Sequence, residues 1–411
     1  MDDLISACKN NDIEAVKAAL GKIEPIDINY VDEIGDTALI WAAYKNNLEI
    51  VKLLLINEGR RSLRSRTYAL SSGANINHAT KDGNTALIVA ANNNNPEMIK
   101  LLLLNGANIN RANKDGTTAL LWVVSNNNVE IVKLLVTNGV NINHADTYGD
   151  TALLWSALRN HSEIVKLLLK NGANTNHTNK HGDTALIWAA YKNNLEIVKL
   201  LLMNGANSKH ANKDGNTALI LAANNNNLEM VKLLLINNTN INYANRGGNT
   251  ALMWAVIKNN PEIVKLLLTN GANSNHANKN GDTALIFAIH YNNPEMIKVL
   301  LRIEGRPRPN RRCRTGALGV NINHANTSGD TALILAVHNN KPEIVKLLLK
   351  NGAKINRVNK NGNTALKLAT GRKYKNIINI ITLYNVLRNR LFATYLQVIP
   401  RDIIYVIESF L

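Results

Sequence analysis

The string Gly-x-Thr-Ala-Leu occurs ten times in this chain of 411 residues, at Gly35, Gly83, Gly116, Gly149, Gly182, Gly215, Gly248, Gly281, Gly329 and Gly362. Seven of the nine steps between these glycines are 33 residues, and the other two are 48, which is 33 plus 15. A fixed period of this length specifies stacked copies of one supersecondary unit. Each copy packs only on its neighbours, so the chain need not split into several globular cores as its length would otherwise suggest. At 45% apolar residues there is enough material for a continuous core.

Residues 182–214 show the unit most clearly. Asp183 and Thr184 suit a helix start, because their oxygens can accept from orphan backbone N–H groups. A short inner helix follows through Ala185 to Ala190, with small alanines that let a second helix approach. Asn193 and Asn194 end it, since asparagine tolerates the left-handed conformation better than any residue except glycine. The outer helix begins near Leu195, where four other repeats carry Pro96, Pro261, Pro294 and Pro342. Proline suits the first helical position, where its missing N–H has no partner to lose. Asn204-Gly205 stops this helix, and a polar, turn-rich segment leads to Gly215.

Helix, turn, helix and hairpin at this spacing resemble the ankyrin repeat family. The resemblance covers about residues 1–382 and implies an all-α ankyrin-repeat solenoid with a 33-residue period. Two departures are systematic. The proline of the family's T-P-L-H string is alanine here (Ala38, Ala86 and their equivalents). Its histidine is apolar (Ile40, Ile88, Leu121, Leu154, Ile187, Ile220, Met253, Ile286, Ile334), except for Lys367 in the last repeat. Apolar packing is expected to replace the family's threonine–histidine bonding.

The expected organisation is an N-terminal capping repeat over residues 1–30, ten repeats over 31–382, and a C-terminal helical segment over 383–411. Two insertions fall at about 58–72 and 303–317, in the same place in their repeats. The C-terminal string VIPRDIIYVIESFL resembles the first helix of an F-box, as in the PRANC segment that ends poxvirus and some bacterial ankyrin proteins. That resemblance implies adaptor binding in a cullin-type ubiquitin ligase through Ile399, Pro400, Ile403, Ile404, Ile407 and Leu411. An amphipathic capping helix gives the same string.

The net charge is +17, and +12 of it lies in residues 58–72, 302–319 and 371–411. The arginines of the inserts suggest either a phosphate contact or plain solvated loops, and nucleic-acid binding is the weaker expectation because no aromatic residues interleave with them. Equal length and placement of the inserts resemble the palindromic in-frame elements of rickettsial genes. The abundance of Asn, Ile and Lys reads as the bias of an AT-rich genome. Two distant cysteines, Cys8 and Cys313, argue for a reducing compartment. The acidic start MDDLISACKN does not read as a signal peptide, and no long apolar run predicts a membrane span. The expected location is therefore cytoplasmic, or the cytosol of a host.

Five tryptophans share one register: Trp41, Trp122, Trp155, Trp188 and Trp254. Val89, Leu221, Phe287, Leu335 and Leu368 occupy it elsewhere, so a buried stripe is expected. Histidines recur at His78, His144, His177, His210, His276 and His324, where other repeats have Arg111, Tyr243 and Arg357. An exposed position, not a metal site, is expected there. Glu-x-x-Lys pairs mark the solvent side of every outer helix. The sequence holds no phosphate loop, nucleophile elbow or zinc motif. A non-catalytic scaffold with no cofactor and no metal is the reading, acting as a monomer on protein partners without a membrane.

Binding should lie where repeats differ. In ankyrin proteins partners lie along hairpin tips and the exposed side of the inner helices. Carried onto this chain, the candidates are Tyr44, Lys45, Tyr148, Leu158, Arg159, His181, Tyr191, Lys192, His290 and Tyr291.

Overall fold

The computed structural model describes residues 2–21, 27–56, 73–302 and 319–394. Both insertions and the segment 399–411 lie outside them. Among the described residues there are 22 helices and no extended strands, only isolated antiparallel bridges. The fold is all-α. Two compact units divide the chain at Asn207 and Ser208.

The first unit opens with the helix pair Asp2–Lys9 and Ile13–Leu20. Five pairs of one inner and one outer helix follow: Ala38–Tyr44 with Leu48–Ile56, Ala86–Asn92 with Pro96–Leu104, Ala119–Ser125 with Val129–Thr137, Ala152–Leu158 with Ser162–Lys170, and Ala185–Tyr191 with Leu195–Met203. The second unit holds Ala218–Asn224 with Leu228–Ile236, Ala251–Ile257 with Pro261–Thr269, Ala284–His290 with Pro294–Arg302, Ala332–His338 with Pro342–Lys350, and Ala365–Gly371 with Lys375–Thr394. The last helix runs unbroken through residue 382.

Local chemistry explains each boundary. Thr184 caps its inner helix, its hydroxyl oxygen accepting from the Ile187 N–H at 3.3 Å. Ile187 stands where the family has histidine, and it is buried, as are Ile40, Met253 and Ile334. Asn193 ends the turn at φ 59°, and Asn46, Asn94, Asn127, Asn160, Asn226, Asn259, Asn292 and Asn340 do the same. Asn11 takes that conformation in the first helix pair and Lys373 in the last. The next asparagine caps the outer helix: Asn194 accepts from the Ile197 N–H at 3.0 Å. Pro96, Pro261, Pro294 and Pro342 each begin their helix. Ile197, Val198 and Leu201 form the buried face.

The glycine of the repeated string has two reasons to be glycine. Gly248 sits at φ 80°, and a Cβ there would lie 2.7 Å from the Lys279 backbone N of the next hairpin. Close hairpin approach and a left-handed conformation therefore coincide at one residue.

Asparagine, abundant in the sequence, also joins the repeats. At the hairpin base Asn359 accepts from the Asn361 and Asn363 N–H groups, closing its own turn. Its amide then donates to Asp330 of the preceding repeat at 2.7 Å. Asn113 bonds Asn84 in the same way, Asn179 bonds Asp150, and Asn278 bonds Asn249. A second ladder runs along the outer-helix caps, with Asn95 donating to Asn46, Asn128 to Asn94 and Asn260 to Asn226. A third pairs asparagine carbonyls with backbone, as in Asn110 accepting from the Asn141 N–H at 2.7 Å.

The recurring histidines are half-buried, which corrects the exposed position expected for them. His144 Nε2 lies 2.9 Å from the Gly116 carbonyl of the preceding hairpin, and His177 lies 2.9 Å from that of Gly149. With His78, His276 and His324, which reach the Gly35, Gly248 and Gly281 carbonyls, they are further stitches between neighbouring repeats. Cys8 is buried, and desolvation pushes its thiol up to about 12, so it is an unreactive core group.

The ladder predicts a pH-dependent defect. Asn359→Asp sets a carboxylate against Asp330 in place of a donor. Unfolding stability should fall by about 1–3 kcal/mol at neutral pH. The loss should shrink in the acid range, where the two carboxyls come to share a proton and one donates again. Urea melts across that pH range measure both effects, and a pH-independent loss would refute the pairing.

Candidate interaction surface

The inner helices all end on the same side of their unit, and their C-terminal residues are where the repeats differ most. Lys45, Arg159, Lys192 and Lys258 are the C-cap residues of their helices. A cation there is favoured by the helix dipole, so position alone does not indicate a ligand. Tyr44, Tyr191 and His290 are the last residues of their helices, and Tyr291 is a C-cap. All four are exposed, with Tyr191 and Tyr291 each 56% accessible.

Tyr148 and His181 lie on hairpin tips in the first unit and are also exposed. Their turns are rigid: the Tyr148 N–H donates to Asp146 at 2.8 Å, and the His181 N–H to Asn179 at 2.9 Å. Successive tips are joined by backbone bonds, such as Lys180 N–H to the Tyr148 carbonyl at 2.9 Å. The tips thus form a continuous, stiff edge within the unit.

Three of the ten candidates come together. Leu158, Arg159 and Lys192 line an open cleft of about 490 Å³ with Trp155, Asn160 and His161. Tyr191 borders it, with the Lys192 ammonium 5.7 Å from its ring centre. Tyr44 and Lys45 stand apart in an earlier repeat of the same unit. There burial, with the Asp36 and Asp82 carboxylates, pushes the Tyr44 phenol above its ordinary value. His290 and Tyr291 belong to the second unit.

Trp155 and His161 were not among the residues expected to bind. Trp155 belongs to the stripe expected to be buried, but all five tryptophans are only half-buried. His161 stands where most repeats have the outer-helix cap asparagine. It breaks the ladder, and its Nδ1 lies 2.9 Å from the Val124 carbonyl. Burial and then nearby Arg159 lower its pKa, against the Val124 contact. The sequence signal was present as a departure from an otherwise near-uniform register.

Four of the five tryptophans sort by the residue that opens their hairpin. Where it is aspartate, one carboxylate oxygen remains for the indole. Trp41 Nε1 donates to Asp32 at 2.9 Å and Trp155 Nε1 to Asp146 at 3.1 Å. Where it is asparagine, the corresponding atom is an NH2 already bonded across to the preceding repeat, as at Asn179 and Asn245. Trp188 and Trp254 are accordingly left with buried indole N–H groups that have no partner. In the first repeat Lys9 completes the arrangement, 2.9 Å from Asp32 and 4.9 Å from the Trp41 ring centre. Burial alone would raise the Asp32 carboxyl, but the Asp36 N–H, Lys9 and Trp41 together hold it down to about 2.

Among the described residues no three His, Cys, Asp or Glu side chains gather where a cation could be held. No described helix is long and apolar enough to cross a membrane.

The indole contrast is measurable. Trp155→Phe strands an Asp146 oxygen, whereas Trp188→Phe removes an unsatisfied donor at the same loss of volume. Trp155→Phe should cost about 1–2 kcal/mol more in thermal or urea unfolding. Equal costs would dissolve the distinction between the two sites.

Models built for ankyrin repeats match nearly the whole chain. One for many copies covers residues 4–55. One for three copies matches in overlapping windows, at residues 65–146, 87–179, 126–212, 153–245, 201–278, 219–313, 258–357 and 314–387. No curated protein matches the chain significantly. The period, the paired helices, the stacked hairpins and these matches agree: the chain belongs to the ankyrin-repeat family.

Proposed function

We propose that this chain is a non-catalytic protein-binding scaffold whose contact surface is the edge formed by the hairpin tips and the inner-helix C-termini. Ankyrin repeats are protein-interaction modules, and here the repeated residues maintain the stack while the varied ones face outward. The observation that carries the reading is the set of exposed tyrosines, Tyr44, Tyr148, Tyr191 and Tyr291, on rigid backbone at those positions. Fixed aromatic side chains with a polar tip are the usual anchors of protein interfaces.

The partner, on this proposal, is a host protein, met in the cytoplasm by a chain from an intracellular parasite, bacterium or large virus. Two in-frame insertions of equal length, and the resemblance of residues 399–411 to the end of viral and bacterial ankyrin proteins, support that finer reading. A second reading makes the chain a ubiquitin-ligase substrate receptor, with the repeats holding the target and Ile399, Pro400, Ile403, Ile404, Ile407 and Leu411 holding the adaptor. The 13-residue string from Ile399 supports it. The arginine inserts at 58–72 and 303–317 support a nucleic-acid contact less well.

Affinity capture with the full-length chain tests both readings. Replacing the four tyrosines by alanine should cut partner recovery by about 30-fold or more, the equivalent of one hot-spot side chain. Glu229→Ala with Lys232→Ala, on the outer helices, should leave recovery unchanged. Partners insensitive to the tyrosines would place the contact elsewhere. Truncation after Thr394 should release a ligase adaptor and keep the target if the second reading holds. A full-length chain that captures no adaptor removes it.

A further inference from the structure

The cleft between two neighbouring repeats of the first unit has a chemistry that selects its occupant. Arg159 and Lys192 are equivalent C-cap residues of consecutive inner helices, Ala152–Leu158 and Ala185–Tyr191. Both side chains are exposed. The residues lining the cleft with them are Trp155, Leu158, Asn160 and His161, and none is acidic. No described carboxylate lies within ion-pair distance of either cation. Helix C-termini carry partial negative charge, about half an elementary charge each at most, so two full cations outweigh it.

Trp155 makes the arginine a shaped site. Its indole N–H is pinned to Asp146 at 3.1 Å, and Asp146 is in turn held by the Tyr148 and Asp150 N–H groups. The Arg159 guanidinium lies 5.0 Å from the centre of that fixed ring. Packed on an aromatic ring, a guanidinium keeps its N–H edge free for a planar, two-oxygen acceptor. The first repeat supplies an internal comparison. There the cation over Trp41 is Lys9, and it has a carboxylate, Asp32, at 2.9 Å. At Trp155 the equivalent carboxylate, Asp146, bonds the indole but forms no ion pair with Arg159.

We propose that this cleft binds the carboxylate of an aspartate or glutamate in an acidic segment of a partner protein, with Arg159 as the bidentate anchor and Lys192 as the second cation. The proposal rests on the reading of the chain as a protein-binding scaffold and names what that scaffold holds at one point. Leu158 and the Tyr191 ring flank the cations, so the acidic residue should have an apolar neighbour. Burial lowers the His161 pKa, which disfavours a third charge in the cleft. The neighbouring inner-helix C-caps in this unit are Asn93 and Asn126, and the earlier tips pair Lys81 with Asp82 and Lys114 with Asp115 in sequence. Two neighbouring cations suit one acidic side chain. A polyphosphate backbone needs a track of cations, each neutralising one phosphate.

The probe is a set of 12-residue peptides selected from a random display library on the full-length chain. Selected peptides should carry Asp or Glu beside an apolar residue. Arg159→Gln combined with Lys192→Gln should weaken them at least tenfold, and Arg159→Lys should give an intermediate loss because charge remains without the fork. Changing the peptide's acidic residue to its amide should produce the same loss, with little further loss on the doubly substituted chain. Unchanged thermal unfolding of the variants shows that the fold is intact. Neutral or basic peptides, peptides indifferent to both substitutions, no peptides at all, or equal displacement by a single-stranded 20-mer oligonucleotide would each overturn the proposal. Partner capture that depends on the four tyrosines but not on Arg159 and Lys192 would leave the scaffold reading standing and remove only this one.

Discussion

The structure depends on one requirement: every repeat must satisfy backbone and side-chain polar groups that its neighbour leaves open. Asparagine meets it because its amide accepts at one end and donates at the other. At Asn278 the oxygen takes the N–H groups of Asn280 and Asp282, and the NH2 reaches Asn249 one repeat away. Aspartate could close the same turn but could not reach across. Leucine or isoleucine could fill the space but would leave the turn open. The apolar core of Ile, Val, Leu and Ala supplies most of the driving force by burial. Burial is non-directional, so the polar ladders are what hold neighbouring repeats in one register.

Departures from the ladder become intelligible on the same terms. The hairpin-opening residue is Asp at 32 and 146. Asp146 faces Thr117, the only described residue at that step of the string that is neither Asn nor Asp. Asp146 makes no side-chain bond across that step, and its second carboxylate oxygen bonds the indole instead. A single change in the ladder thus fixes Trp155, which in turn positions Arg159. His161, a second break in a ladder, lies in the same cleft. The most distinctive surface of the first unit arises where two structural rules lapse in adjacent turns.

Much of the architecture was legible in the sequence, because it rests on local rules repeated many times. The threonine caps, the left-handed asparagines, the prolines at the first helical turn and the apolar replacements at Ile40, Ile187 and Met253 all follow from short-range chemistry. The misreadings share one cause. His144 and Asn359 act on the preceding repeat, 28 or 29 residues back. Nothing in their immediate neighbours reveals that partner. The asparagine ladders were hidden because each asparagine, taken alone, is an ordinary turn residue.

The candidate surface was legible only as variation: Arg159 and Lys192 were found because their equivalents are Asn93 and Asn126. What variation cannot show is whether a cation is already satisfied. Lys9 and Arg159 both lie over tryptophans, and helix dipoles favour a base at every inner C-cap. A dipole-stabilised cation with an internal carboxylate is closed to a ligand, because a ligand would have to displace Asp32 from a site that holds it ionised down to about pH 2. A dipole-stabilised cation without one presents its full charge outward. The same physics that makes basic residues at helix ends structurally ordinary therefore divides them into two classes. Geometry between elements, not residue type, decides to which class each belongs.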